Sequence, residues 1–120
     1  MGQYLSTDRK GGVLFLRFRH KIAADAYSTP AITEDLEMAA ELAKGKSIVL
    51  DLANLDYASS AFLGTLLAWH QKAAASGAHV RLCSVNPRLM EIFRIVNLDK
   101  AFPIDDSAEA AFQTLNGGKA

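Results

Sequence analysis

Two adjacent hydroxyls, Ser59 and Ser60, stand where a small polar loop gives way to a helix-forming run. Either hydroxyl could be a nucleophile, but only with partners to activate it, and the chain offers few. A serine hydrolase needs a histidine base beside the nucleophile and an acid to orient it. Of the three histidines, His70 falls on the inward face roughly three turns from Ser60. His20 and His79 have no supporting motif, and there is no Gly-x-Ser-x-Gly elbow. One cysteine and three scattered histidines make no metal-ligand cluster. Neither Walker glycines nor a dinucleotide fingerprint is present, and Gly11-Gly12 reads as a turn. No cofactor, metal or catalytic residue is expected.

The serines are carried between a strand and a long helix. Ile48, Val49, Leu50 and Leu52 form a nearly unbroken apolar run, the pattern of a strand covered on both faces. Leu63, Leu66, Leu67 and Ala74 then recur at helical spacing, and Gly77 supplies the stop. At about 100° per residue, Leu63, Leu66, Leu67, His70 and Ala74 share the inward face, with Phe62 and Trp69 at its edge. Ser60, Ala61, Gly64, Ala68, Gln71 and Ala75 form a small, smooth flank on which another backbone could settle. A flank lying under a neighbouring loop reads equally well from spacing alone.

Upstream, Gln3–Thr7 and Val13–Phe18 read as strands joined at Gly11-Gly12, followed by a loop over Ile22–Ser28. Thr29-Pro30 opens a helix with a capping hydroxyl and proline in the first turn. Its apolar side is Ile32, Leu36, Ala39, Ala40 and Ala43, with Gly45 as the stop. Glu34, Asp35 and Glu37 read as a solvated face matched to the helix dipole in preference to a patch for a basic partner. Downstream, Val80–Cys83 is a strand and Asn86-Pro87 opens another helix. Leu89, Ile92, Phe93 and Val96 are its buried stripe, and Asn97 its left-handed close. Ala101–Ile104 reads as a last strand. Asp106 then caps a terminal helix, with Glu109 completing the box and Gly117-Gly118 ending it.

At 120 residues the chain is long enough for one domain with a real core. Thirteen basic and thirteen acidic residues cancel, giving no electrostatic case for nucleic acid or an anionic membrane. No apolar run reaches the roughly 20 residues that span a bilayer. Met1–Lys10 is too polar for a signal peptide. The single Cys83 suits a reducing cytoplasm.

Alternating strands and helices predict an α/β fold with a mostly parallel sheet. Ser59-Ser60-Ala61-Phe62-Leu63-Gly64, preceded by Val49-Leu50-Asp51-Leu52 and Leu55-Asp56-Tyr57, resembles the STAS domain family and its bacterial anti-sigma factor antagonists. That family carries Asp-Ser-Ser/Thr-Gly-Leu-Gly after a Val-Leu-Asp-Leu strand. Ser84-Val85-Asn86-Pro87 and Asn97-Leu98-Asp99-Lys100-Ala101-Phe102 resemble its later landmarks, so the likeness spans about Val13 to Phe112. It implies a single domain over residues 1–120, with a core over about 3–115. Within it lie four to five mostly parallel strands, an N-terminal antiparallel strand and about four helices. It also implies that Ser60 is the phosphorylated serine. The partner would be an anti-sigma factor that is itself a serine kinase of the histidine-kinase-like ATPase class, with a serine phosphatase as counterpart. Ser59, Ser60, Ala61, Phe62, Gly64 and Ala68 would meet that partner, and Asp25 would lend a charge in place of the motif aspartate, which is Ser59 here. Phe62 replaces the motif glycine. A constitutive scaffold or a subunit of a larger signalling or transport assembly, without the phospho-switch and with Phe62 and Trp69 as an aromatic contact patch, is the alternative. A receiver domain with Asp51 as acceptor is a lesser one, because His20-Lys21 stands where magnesium-binding carboxylates belong.

Overall fold

The computed structural model describes residues 2–43 and 46–117, with the side chains of residues 116 and 117 outside that description. The elements run β1 (Leu5–Lys10), β2 (Val13–Phe18), β3 (Ile22–Ala24), α1 (Thr29–Leu42), β4 (Ser47–Asp51), β5 (Leu55–Ala58), α2 (Ser60–Ala75), β6 (His79–Cys83), α3 (Pro87–Ile95), α4 (Leu98–Ala101), β7 (Ile104–Asp105) and α5 (Ala108–Gly117). The main sheet has the order β1-β2-β4-β6-β7. Among the described residues only the β1–β2 pair is antiparallel, with Leu5 opposite Phe18 and Lys10 opposite Val13. Gly11 and Gly12 close that hairpin with both φ values positive (56° and 79°), backbone angles that glycine adopts without steric cost.

The apolar run of β4 is covered on both faces, by unequal means. Ile48 and Leu50 join the larger core with Ile32, Leu36, Leu66, Trp69 and Phe93, beneath α1, α2 and α3. Val49 points the other way, into a small cluster with Val13, Cys83 and Ala111 under α5. Phe15 and Phe112 extend that second cluster, their ring centroids 5.8 Å apart.

Several expected boundaries move, each for a local reason. β1 starts two residues later and ends three residues later than Gln3–Thr7, because Asp35 captures the chain where it begins. The buried Asp35 carboxylate accepts the N–H groups of Tyr4 (2.8 Å) and Leu5 (3.0 Å). It is therefore neither a solvated face nor part of a surface acidic patch. The expected loop after β2 contains the short strand β3, which pairs with β5 as a separate two-stranded parallel sheet. Thr29 is the first residue of α1, and its hydroxyl donates to the Asp25 carbonyl (2.6 Å) instead of capping the helix. The expected strand at Ala101–Ile104 splits into the end of α4 and β7, with Asn97 left-handed (φ 63°) before α4. Ser107, not Asp106, opens α5, its hydroxyl accepting from the Ala110 N–H (3.1 Å). Glu109 instead accepts from Gln113 along the helix. The expected stops at Gly45 and Gly118 lie outside the described residues, and Gly117 falls within α5. Five helices are described where about four were expected.

Candidate functional site

The strand–serine–helix junction is held by polar side chains that leave Ser60 outside their network. At the end of β4, Asp51 is buried; its Oδ1 accepts the Ala53 N–H (2.9 Å) and its Oδ2 lies 3.4 Å from Arg17 Nε. Asp51 thereby braces the loop that follows β4. Asn54 extends the brace: its side chain donates to the Phe18 carbonyl (2.8 Å), and its carbonyl accepts from Ile22 (2.9 Å). Asn86 caps α3 by accepting from Leu89 (2.8 Å) and donates to the Leu55 carbonyl (3.0 Å). These contacts fix β5, and β5 delivers the serines.

The two hydroxyls then part company. Ser59 is half-buried and extended at the cap position of α2, where its Oγ accepts the Phe62 N–H (3.1 Å). Its own N–H donates to the Ala24 carbonyl (2.8 Å), tying α2 to the end of β3. Such a cap is worth about 1 kcal/mol. Ser60, one residue on, is exposed. The serine in the motif's aspartate position thus serves as the helix cap, and the next serine faces solvent.

Phe62 and Trp69 correct the expected face of α2. Phe62, expected among the docking residues, is wholly buried, and Trp69 is 5% exposed with its indole N–H donating to the Leu36 carbonyl (2.8 Å). The buried line is Phe62, Leu66, Trp69 and Ala73, with Leu63 alongside. Leu67 and His70 are half-buried and Ala74 is exposed. The two bulkiest apolar side chains take the centre of the contact, rotating the helix from the orientation that Leu67 and Ala74 suggested. The aromatic pair therefore offers no surface for a scaffold contact. His70 rests edge-on against Phe102 (4.5 Å between ring centroids), and burial holds its pKa below the usual histidine value.

Ala61, Gly64 and Ala68 are exposed along with Ser60. Gly64 is unusual. A glycine inside a helix costs about 1 kcal/mol relative to alanine, yet a Cβ added here would meet nothing within 4 Å. Packing within the chain does not require it. Ser60 and Gly64 also line a shallow cleft of about 220 Å³, shared with Leu63, Leu67, Val96 and Leu98. The second wall comes from the junction of α3 and α4, far off in sequence, and sequence periodicity carries no sign of it.

Asp25 is exposed and follows Ala24, the residue paired with Ala58 at the end of β5. Its Oδ1 accepts from the Ser28 N–H (2.9 Å) and Ser28 Oγ (3.1 Å), while the Asp25 N–H donates back to Ser28 Oγ (3.1 Å). The Ser28 bonds, the backbone one foremost, hold its carboxyl below the usual aspartate range. The turn places a carboxylate one residue beyond the strand pair that leads to Ser59. Among the described residues no three His, Cys, Asp or Glu side chains gather as a metal site, and no helix is long and apolar enough to cross a membrane.

The STAS domain family model matches residues 4–111. BtrV of Bordetella bronchiseptica, an anti-sigma factor antagonist by name, is 37% identical over 78 residues, covering 64% of this chain and 67% of that protein. The anti-sigma F factor antagonist of Paenibacillus polymyxa is 25% identical over 115 residues, 96% of this chain and 97% of that one. Among solved structures, an anti-sigma-factor antagonist (STAS) domain protein from Planctomyces limnophilus superposes with a TM-score of 0.81. It shares 16% identity, covering 92% of this chain and 97% of that one.

Proposed function

The chain belongs to the STAS domain family, and from that membership we propose that it is an anti-sigma factor antagonist switched by phosphorylation of Ser60. In its unmodified form the surface around Ser59, Ser60, Ala61, Gly64 and Ala68, with Asp25 beside it, docks on an anti-sigma factor in the cytoplasm. That factor is a serine kinase of the histidine-kinase-like ATPase class, and docking frees a sigma factor to direct transcription. A serine phosphatase restores the unmodified form. The chain itself is a binding protein and not an enzyme.

The observation carrying this reading is the division of labour between the two serines. Ser59 is committed to the cap, and Ser60 is exposed on a flank of small side chains. A phosphate on Ser60 adds about two negative charges at pH 7. The helix N-terminus meets them favourably, so the fold survives. The interface does not: a bulky dianion occupies the contact, and burying it unpaired costs several kcal/mol, where about 1.4 kcal/mol is already tenfold in affinity.

The test uses purified anti-sigma factors of that kinase class from the source genome, titrated calorimetrically against the full chain. Wild type and Ser60→Ala bind; Ser60→Asp is released at least about a hundredfold, a loss of roughly 2.8 kcal/mol, while keeping the wild-type thermal midpoint. Undiminished binding by Ser60→Asp replaces the switch with a constitutive scaffold.

A further inference from the structure

We infer that the cleft between α2 and the α3–α4 junction receives one uncharged apolar side chain of the anti-sigma partner, and that Gly64 is present to let the partner's backbone come close. This inference rests on the reading of Ser60 as the switch and names what the same surface recognises. Three observations carry it. The lining (Ser60, Leu63, Gly64, Leu67, Val96 and Leu98) holds no charged group, and Ser60 is its one polar side chain. A charged knob would lose hydration there without gaining a partner; an aliphatic or aromatic one would lose nothing.

The cleft's far wall is itself open to water. Val96, expected in the buried stripe of α3, lines the cleft and is 50% exposed, and Ile95, its neighbour in sequence, is 79% exposed. Large apolar side chains left in water beside an apolar cleft are a feature of interaction surfaces. Finally, Gly64 weakens α2 with no neighbour inside the chain to justify it. A backbone approach from outside explains a residue that internal packing does not. The cleft also sharpens the switch. Ser60 stands in its lining, so a phosphate places its charge directly at the entrance to an apolar socket.

The test pairs stability with affinity, using the full chain and the purified anti-sigma kinase that Ser60→Asp fails to bind. Gly64→Ala raises the thermal midpoint of the free protein by a few degrees. Gly64→Leu, which fills the cleft from within, leaves that midpoint no lower than wild type and weakens kinase binding about thirtyfold, the loss expected from excluding one aliphatic side chain. Val96→Asp weakens binding at least as much, and Glu109→Ala on α5 leaves it unchanged. If Gly64→Leu and Val96→Asp bind like wild type while Ser60→Asp does not, the cleft inference is overturned and the switch stands. A lowered midpoint for Gly64→Ala also overturns it, by giving the glycine an internal role. If wild type binds no anti-sigma factor of this class, the switch reading falls and the inference falls with it.

Discussion

Along α2, Phe62, Leu66, Trp69 and Ala73 are sealed against the sheet and α1, while Ser60, Ala61, Gly64 and Ala68 stand in solvent. The buried side uses large, shape-specific groups, including an indole with its own hydrogen-bond partner. The open side uses the smallest side chains available and tolerates a glycine that costs helix stability. One helix thus separates two demands: its inner line sets stability, and its outer line is free to meet another molecule. Mutations on the two lines should therefore dissociate.

The largest effect is expected inside. Phe62→Ala removes a wholly buried ring and should cost about 3–5 kcal/mol in denaturant unfolding; a loss under about 1 kcal/mol would break the contrast. Asp35→Ala leaves the Tyr4 and Leu5 N–H groups without their acceptor and should cost about 1–3 kcal/mol. Faster amide exchange at those two residues would locate the damage at β1. The serines then test the contrast one residue apart. Ser59→Ala should lose about 1 kcal/mol as a missing cap, and Ser60→Ala should stay within about 0.5 kcal/mol of wild type. Equal losses would show that Ser60 is also part of the frame.

The smallest effect concerns His70. Burial lowers its pKa in the fold, so the unfolded chain takes up a proton that the folded chain resists. Its contribution is complete above its ordinary value of 6.5 and erodes as pH falls below it. His70→Gln should flatten that part of the stability–pH curve, and an unchanged slope would remove His70 from the account.

Much of this architecture is legible in the residues because it rests on local signals. The apolar run of β4, the glycine pair after β1 and the Asn86-Pro87 opening each act over a few positions and fold as they read. What escaped depends on contacts between distant segments. Ile22-Ala23-Ala24 is too short for alternation to show, and it becomes a strand because β5 lies beside it. Asp35 looks like any solvated acid near a helix start until β1 brings it two donors. Helical periodicity found the small flank of α2 but misplaced its core line, because it weighs Leu67 and Ala74 like Phe62 and Trp69 while packing favours volume. Ser60 and Gly64 could be singled out from sequence; the wall that Val96 and Leu98 raise beside them could not.

The pairing of a committed cap with a free neighbour makes one chemical prediction above the rest. Incubated with ATP and a purified anti-sigma kinase of the proposed class, the chain should gain a single phosphate, mapped by fragmentation mass spectrometry to Ser60 and absent from Ser60→Ala. A phosphate on Ser59, or undiminished labelling of Ser60→Ala, would contradict the account.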